Sequence, residues 1–128
     1  MKTRIFLIGA LMLLFVAVSC NRNHPIPVST NELLFERDGG TEVVRCLEGY
    51  IFTDAYANVP EYDFAEEDGY VFQKYGWVTL KYKAELNGSS ELFISVTENT
   101  TGSQRSCEVE MWEPFFPRRA TINVTQKK

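Results

Sequence analysis

Histidine is almost absent from this chain. The single histidine, His24, lies in a polar, proline-containing stretch near the N-terminus. A histidine-based catalytic triad is therefore unavailable to the folded domain. The sequence also lacks a phosphate-binding glycine loop and the cysteine spacing of a zinc site. These absences predict a protein that is not an enzyme, with no catalytic residue, no metal site and no cofactor.

Positive charge is also scarce. Lysine and arginine number 13 against 17 aspartate and glutamate residues, which gives a formal net charge of −4. Binding to nucleic acid requires a concentration of Lys and Arg that neutralises phosphates, and the sequence contains no such concentration. The composition therefore excludes nucleic acid as a partner.

No apolar run is long enough to serve as a retained membrane anchor. The longest covers residues 5–18, which is 14 residues, whereas a transmembrane helix needs about 20. Lys2 and Arg4 precede this run, and Ser19 and Cys20 follow it. A basic segment, an apolar segment and small residues in this order are typical of a secretory signal peptide.

The residues that end this signal, Ala17-Val18-Ser19-Cys20, resemble the bacterial lipobox. In that motif the chain is cut before the cysteine, which is acylated and becomes the new N-terminus. The resemblance implies a signal peptide over residues 1–19, a lipidated tether over residues 20–28, and Cys20 as the link to a membrane. A lipobox cysteine carries at least two acyl chains, as stable anchoring requires. The alternative is an ordinary signal peptide with a chance cysteine.

Residues 29–128 are predicted to form one all-β domain. Short runs rich in Val, Ile, Phe, Tyr and Thr alternate with Gly, Asn, Asp and Pro clusters, and no long stretch keeps a helical period. About seven strands, without helices to cover them, favour a two-sheet antiparallel β-sandwich. A partly closed barrel is the alternative. The clearest strands are predicted at residues 41–47, 77–83, 92–96, 105–112 and 120–125.

One long segment, residues 54–76, does not fit this even spacing. It is acidic and aromatic, and it is predicted to be an insertion in which residues 70–73 add an edge strand. Its carboxylates are hard oxygen ligands of the kind that calcium prefers, but their spacing matches no known calcium loop. A solvated acidic loop is the simpler interpretation.

Two cysteines remain once Cys20 carries lipid. Cys46 and Cys107 are predicted on inward faces of different strands, in an exported protein where disulfides persist. We expect a structural disulfide between them. The alternative is a pair of buried free thiols, and the separation of the two backbones decides between the two arrangements.

Three large aromatic residues, Trp112, Phe115 and Phe116, occur around two prolines at the tip of the last predicted hairpin. Flat aromatic faces at such a tip can stack on sugar rings or on a partner protein, so these residues are the candidate ligand-binding site. The alternative is that the rings fold back over the end of the sandwich and complete a small core.

Several short motifs follow one another along the predicted domain. They are Leu33-Leu34-Phe35, Gly39-Gly40-Thr41, Trp77-Val78, Asn99-Thr100-Thr101-Gly102 with Arg105-Ser106, and Ile122-Asn123-Val124-Thr125-Gln126. In this order they resemble the BACON family of the Bacteroidetes, over most of residues 31–126 but interrupted by the 54–76 insertion. The resemblance implies an immunoglobulin-like β-sandwich, often found in lipoproteins and beside carbohydrate-active domains, for which carbohydrate or mucin binding has been proposed. Cys107 and the aromatic tip depart from the family pattern.

Taken together, these features predict a non-catalytic lipoprotein of the cell envelope that acts as a binding or spacer module, with a glycan such as mucin as its ligand. The alternative is a protein that docks onto another envelope protein or serves as a structural subunit, without binding glycans. Lipid anchoring implies the outer membrane, on its periplasmic side or at the cell surface. Asn21-Arg22-Asn23 lacks the acidic run of surface-exported lipoproteins, which favours the periplasmic side.

Overall fold

The computed structural model describes residues 25–115 and 117–128, and its regular structure consists of nine β-strands. The predicted signal peptide and the lipidated Cys20 lie outside these residues. Within the described ranges no helix is long and apolar enough to span a bilayer. The strands are β1 (Glu32–Phe35), β2 (Gly40–Arg45), β3 (Asp54–Ala57), β4 (Tyr62–Glu67), β5 (Tyr70–Tyr75), β6 (Val78–Lys83), β7 (Glu91–Val96), β8 (Arg105–Glu113) and β9 (Arg118–Gln126).

These strands form two sheets that pack face to face. One sheet has four strands in the order β1-β9-β8-β3, and the other has five in the order β2-β7-β6-β5-β4. β1 runs parallel to β9, and every other neighbouring pair is antiparallel. The all-β two-sheet prediction is confirmed. The strand number is nine instead of about seven because the segment 54–76 contributes strands of its own.

The core lies between the sheets and follows from period-two alternation along the strands. On β8, Cys107, Val109 and Met111 are buried, while Ser106 and Glu108 face solvent. Strands β6, β7 and β9 alternate in the same way. Each fully buried aliphatic side chain contributes about 1.5–3 kcal/mol. The inward residues of these three strands are Val78, Leu80, Tyr82, Leu92, Ile94, Val96, Ala120, Ile122 and Val124.

The predicted insertion at residues 54–76 is built into both sheets. β3 pairs with β8 and buries Ala55 and Ala57 in the core. β4 and β5 form a hairpin around Asp68-Gly69, whose positive φ angles of 53° and 80° are those of a two-residue hairpin turn. The strand expected at residues 70–73 exists, but it lies between β4 and β6 and is therefore not an edge. The edge strand on this side of the sheet is β4.

The folded domain also begins earlier than the predicted Ser29. Ile26 is only 2% exposed and donates its backbone N–H to the carbonyl of Arg119 at 2.9 Å. Val28 forms an antiparallel bridge with Cys46. Residues 26–28, which were expected in the tether, therefore belong to the sandwich. Residues 25–128 contain both sheets and the whole described core, so this segment is a self-contained folding unit.

One end of the sandwich, which we call the locked end, is cross-linked by buried polar side chains. The Gln126 amide is fully buried and donates to three carbonyls, those of Glu36, Arg37 and Thr97, at 2.8–3.2 Å. Its Oε1 accepts from Arg105 Nε at 2.8 Å. The Arg105 guanidinium lies 4.4 Å from the centre of the Trp77 ring.

A second buried amide, that of Asn99, fixes the β7–β8 connection at the same end. It donates to the carbonyls of Ser103 at 2.8 Å and Lys127 at 3.0 Å, and it accepts from the Thr101 N–H and hydroxyl. Gly39 closes the end from the β1–β2 side with a φ of +86°, and a Cβ there would lie 2.4 Å from the Val96 carbonyl oxygen. Only glycine fits this approach.

Candidate functional site: the loop-end cleft

The end opposite the locked end carries an open cleft of about 590 Å³ between three connections. These are residues 46–53 between β2 and β3, residues 84–90 between β6 and β7, and the turn between β8 and β9. We call this feature the loop-end cleft. Its lining residues are Glu48, Gly49, Tyr50, Ile51, Thr53, Leu86, Asn87, Glu113, Phe115 and Arg118.

Backbone contacts hold the first two connections together beneath the cleft. Phe52 is fully buried and exchanges two backbone hydrogen bonds with Ser89, at 2.9 and 2.8 Å. Gly88 has a φ of +91°, and a Cβ there would lie 2.8 Å from Ile51 Cδ1 and 2.9 Å from the Phe52 carbonyl oxygen. The close approach of the loops therefore depends on glycine at position 88, and it gives the cleft a fixed floor.

The rim of the cleft is unusually apolar for a surface. Phe115 is 86% exposed and Leu86 is fully exposed, and Ile51 also faces solvent. Isolated exposed apolar residues are ordinary, but three that line one concavity form a patch. Such a patch at a cleft is typical of a surface that contacts a ligand or a partner.

Polar groups stand among these apolar residues. The Arg118 guanidinium lies 4.9 Å from the centre of the Tyr50 ring, which orients both side chains. Glu113 is buried, and its Oε1 accepts the backbone N–H of Phe115 at 3.0 Å, so this carboxylate shapes the β8–β9 turn. Glu48 and Asn87 add a carboxylate and an amide to the lining. The cleft thus offers ring faces beside hydrogen-bonding groups.

The structure separates the aromatic residues that the sequence grouped together. Phe115 lines the cleft and is exposed, so the alternative in which it completes the core is wrong for this ring. Trp112 is half-buried on the outer face of the four-stranded sheet, beside Asp54 and Arg119, and does not line the cleft. The buried Trp112 Nε1 has no hydrogen-bond partner among the described residues. Phe116 lies outside the described residues.

The predicted disulfide is not formed, because Cys46 and Cys107 are both free. Cys46 donates its backbone N–H to the Ser90 carbonyl beside the cleft, whereas Cys107 lies two residues from Arg105 of the locked end. The two thiols are thus near opposite ends of different sheets. Burial raises the pKa of each thiol to about 11, with Glu108 adding to the effect on Cys107. Neither thiol is activated.

Sequence reasoning missed Tyr50, Leu86 and Arg118 because each lies in or beside an irregular connection, where no periodic pattern applies. The one available signal was Leu86, a large apolar residue inside the polar loop that reverses the chain between β6 and β7. For the acidic segment, the solvated interpretation is consistent with the exposure of β4. Among the described residues, no group of three or more His, Cys, Asp or Glu side chains could hold a metal ion.

A second aromatic surface lies on the outer face of the five-stranded sheet. Lys81 Nζ is 4.5 Å from the centre of the Tyr70 ring and 5.5 Å from the centres of the Phe72 and Phe93 rings. Strand register places Phe93, Lys81 and Phe72 in one row across β7, β6 and β5. We call this row and Tyr70 the aromatic stripe. Its rings are mostly covered, in contrast to Phe115.

Comparison with known proteins adds information on the fold. No family model matches the chain, and no curated protein matches it. An NMR structure of a protein from Bacteroides thetaiotaomicron is similar, with a TM-score of 0.52 and 20% identity, over 81% of this chain and 87% of that chain. This likeness agrees with the β-sandwich and concerns the fold alone.

A weaker similarity is to a Bacteroides ovatus GH5 xyloglucanase solved in complex with a XXXG heptasaccharide. Its TM-score is 0.47 and its identity 16%, over 80% of this chain. The match spans only 18% of the enzyme chain. A TM-score of this size is too low to define a common fold.

Proposed function

We propose that this chain is a non-catalytic, lipid-anchored binding module of the bacterial cell envelope, and that its loop-end cleft binds a saccharide. Cys20 would supply the anchor, as its lipobox-like setting implies, and the outer membrane would be its location. The folded domain would then present the cleft to ligands outside the cytoplasm.

The observation that carries this proposal is the composition of the cleft. Saccharide rings have apolar C–H faces and polar edges, so they bind where aromatic faces and hydrogen-bonding groups meet. Phe115 and Tyr50 offer rings, and Glu48, Asn87 and Arg118 offer donors and acceptors around a volume of about 590 Å³. A mostly apolar concavity with a few polar groups is the usual form of a small-ligand site.

A binding role is preferred over catalysis because the buried carboxylate of the cleft, that of Glu113, serves the turn that carries it. The buried carboxylate of Glu113 already accepts a backbone N–H within its own turn. A glycosidase needs two carboxyl groups facing each other across the scissile bond, one as acid and one as base or nucleophile. The resemblance to BACON domains supports the same direction, because carbohydrate or mucin binding has been proposed for that family.

The proposal is tested with a glycan array probed by the chain that begins at Pro25, since Ile26 belongs to the core. We expect binding to at least one glycan class. Phe115→Ala should weaken that binding about tenfold, because one aromatic contact is worth about 1–1.5 kcal/mol. Arg118→Gln should also weaken it by removing a charged donor at the cleft.

Two matched controls locate the site. Trp112→Ala and Phe72→Ala remove rings outside the cleft, and both should leave glycan binding unchanged. Loss of binding in Phe72→Ala with full binding in Phe115→Ala would move the site to the aromatic stripe and overturn the cleft. If no glycan binds above background, the saccharide proposal is wrong and docking to an envelope protein becomes the favoured function.

A further inference from the structure

The outer edge of β4 carries main-chain groups that the sandwich does not use. β4 is the last strand of its sheet and pairs only with β5 among the described residues. The two-residue turn makes Glu67 and Tyr70 the hydrogen-bonded closing pair, so alternate residues of β4 face β5 and the open edge. The N–H and C=O groups of Tyr62, Phe64 and Glu66 therefore point outward. Of these groups the Phe64 N–H is already engaged, because Asp63 Oδ1 accepts it at 2.9 Å, and an added strand would have to displace this contact.

The other edges of the sandwich are short or are covered in part. On β3, the hydroxyls of Tyr75 and Tyr82 face the backbone of Ala57 and Ala55. On β2, Ser29 donates to the Arg45 carbonyl at 2.8 Å and accepts the Arg45 N–H through its hydroxyl at 2.9 Å. β1 has only four residues. β4 has six residues, all of them exposed, and among the described strands it pairs with β5 alone.

The two faces of β4 differ in chemistry. Tyr62 and Phe64 point toward the side of the core and are 56% and 51% exposed, because the last strand of the opposite sheet, β3, packs over β6. β4 consequently extends beyond its cover. Glu66 shares the face of Tyr62 and Phe64, and the other face carries Asp63, which lies opposite Lys74 of β5, and Glu67. An added strand beside β4 would cover the two exposed rings on one face and meet carboxylates on the other.

Charge decides what kind of strand fits this edge. Five carboxylates occur within residues 61–68, and the segment contains no lysine or arginine; they belong to Glu61, Asp63, Glu66, Glu67 and Asp68. A second copy of the chain paired through β4 would place like charges opposite one another, which is destabilising. An extended segment that bears lysine or arginine would instead pair with them.

We propose that the open edge of β4 accepts an extended cationic segment of a partner protein by β-strand addition. In such a complex, main-chain hydrogen bonds supply affinity, and alternate side chains supply selectivity. Apolar residues of the segment would lie beside Tyr62 and Phe64, and its basic residues would lie beside Asp63 and Glu67. This site is separate from the loop-end cleft, so the inference stands whether or not the cleft binds a saccharide.

The test uses backbone NMR of the chain that begins at Pro25, titrated with a synthetic peptide in which lysine and valine alternate. We expect amide shifts concentrated at Tyr62–Glu67, and weaker binding at higher salt. The key variant is Glu66→Pro, which removes an outward N–H but no bond to β5, and proline is tolerated on edge strands. It should weaken binding about tenfold, since it blocks main-chain pairing.

The matched control is Glu66→Ala, which loses the same carboxylate but keeps the N–H. It should retain most of the binding that Glu66→Pro loses, and an unchanged amide spectrum away from β4 confirms that both variants fold. The inference is overturned if the two variants bind alike, or if the lysine–valine peptide causes no shifts at β4. It is also overturned if a glutamate–valine peptide binds as well.

Discussion

At the locked end of the sandwich, Gln126 and Asn99 place buried amides among backbone carbonyls, and Arg105 joins Gln126 to the Trp77 ring. At the loop-end cleft the outermost residues are instead apolar and exposed, with Phe115 and Leu86 facing solvent. Buried polar groups tolerate little displacement, because each lost partner costs about 1–3 kcal/mol. Exposed apolar groups carry no such requirement. The buried polar groups therefore constrain the locked end, whereas the exposed apolar side chains place no such constraint on the cleft end.

The strongest challenge to this comparison is Gln126→Ala, which should cost about 3 kcal/mol of unfolding free energy. The change removes the donor to three carbonyls and the acceptor of Arg105 Nε in a fully buried position. Urea unfolding of the chain that begins at Pro25 measures it. Thr125→Ala, one residue away on the outer face, is the control and should change stability by about 0.5 kcal/mol or less. Equal effects would show that the locked end is not specially constrained.

The same contrast explains what the sequence could and could not predict. Asn99, Arg105 and Gln126 lie in motifs singled out from the sequence, and in the structure their side chains bind fixed backbone groups at the locked end. Their roles proved structural. Phe115 was named as a candidate ligand-binding aromatic with burial as the open alternative, and it is 86% exposed. Tyr50 and Arg118 were not named, because they meet only when separate connections converge. No local pattern records that convergence.

Strand prediction succeeded for β8 and failed for β4 because the faces of the two strands are covered to different degrees. β8 was clear because Cys107, Val109 and Met111 alternate with polar residues over a fully covered face. β4 was not, because all six of its residues are exposed and the alternation of Tyr62, Asp63 and Phe64 is broken by Ala65-Glu66-Glu67. A strand that overhangs its sheet lacks the inside-to-outside contrast on which period-two patterns depend. The segment that contains β4 was therefore predicted to be an insertion.

The reaction rates of the two free thiols provide a further test of the difference between the two ends. With pKa values of about 11, both thiols should react with a thiol reagent at pH 8 about 100-fold more slowly than an ordinary exposed cysteine, because less thiolate is present. The rate should rise as the pH increases toward 11. Cys46, half-buried beside the cleft, should react before Cys107, which is 7% exposed near the locked end.

Labelling followed by mass spectrometry of the two cysteine peptides gives the order of reaction. A denatured sample supplies the control, because both thiols should then react at once and at similar rates. Prior reaction of Cys107 would mean that the locked end opens more readily than the cleft end. If neither thiol reacts after denaturation, the two cysteines are joined in the disulfide predicted from the sequence.

The smallest effect is expected for Leu86→Ser at the cleft. Leu86 is fully exposed and lines the open concavity. Folding does not remove this side chain from water, so the substitution should change the free energy of unfolding, measured in urea, by no more than about 0.5 kcal/mol. The contrasting variant is Ile94→Ala, at a fully buried position on β7. It should lower the free energy of unfolding by about 2–5 kcal/mol. If Leu86→Ser proves strongly destabilising, the side chain is part of a core contact and the rim of the cleft is not a free surface. If it is neutral to folding but weakens ligand binding alongside Phe115→Ala, the exposed apolar rim is retained for recognition, because the fold does not require it.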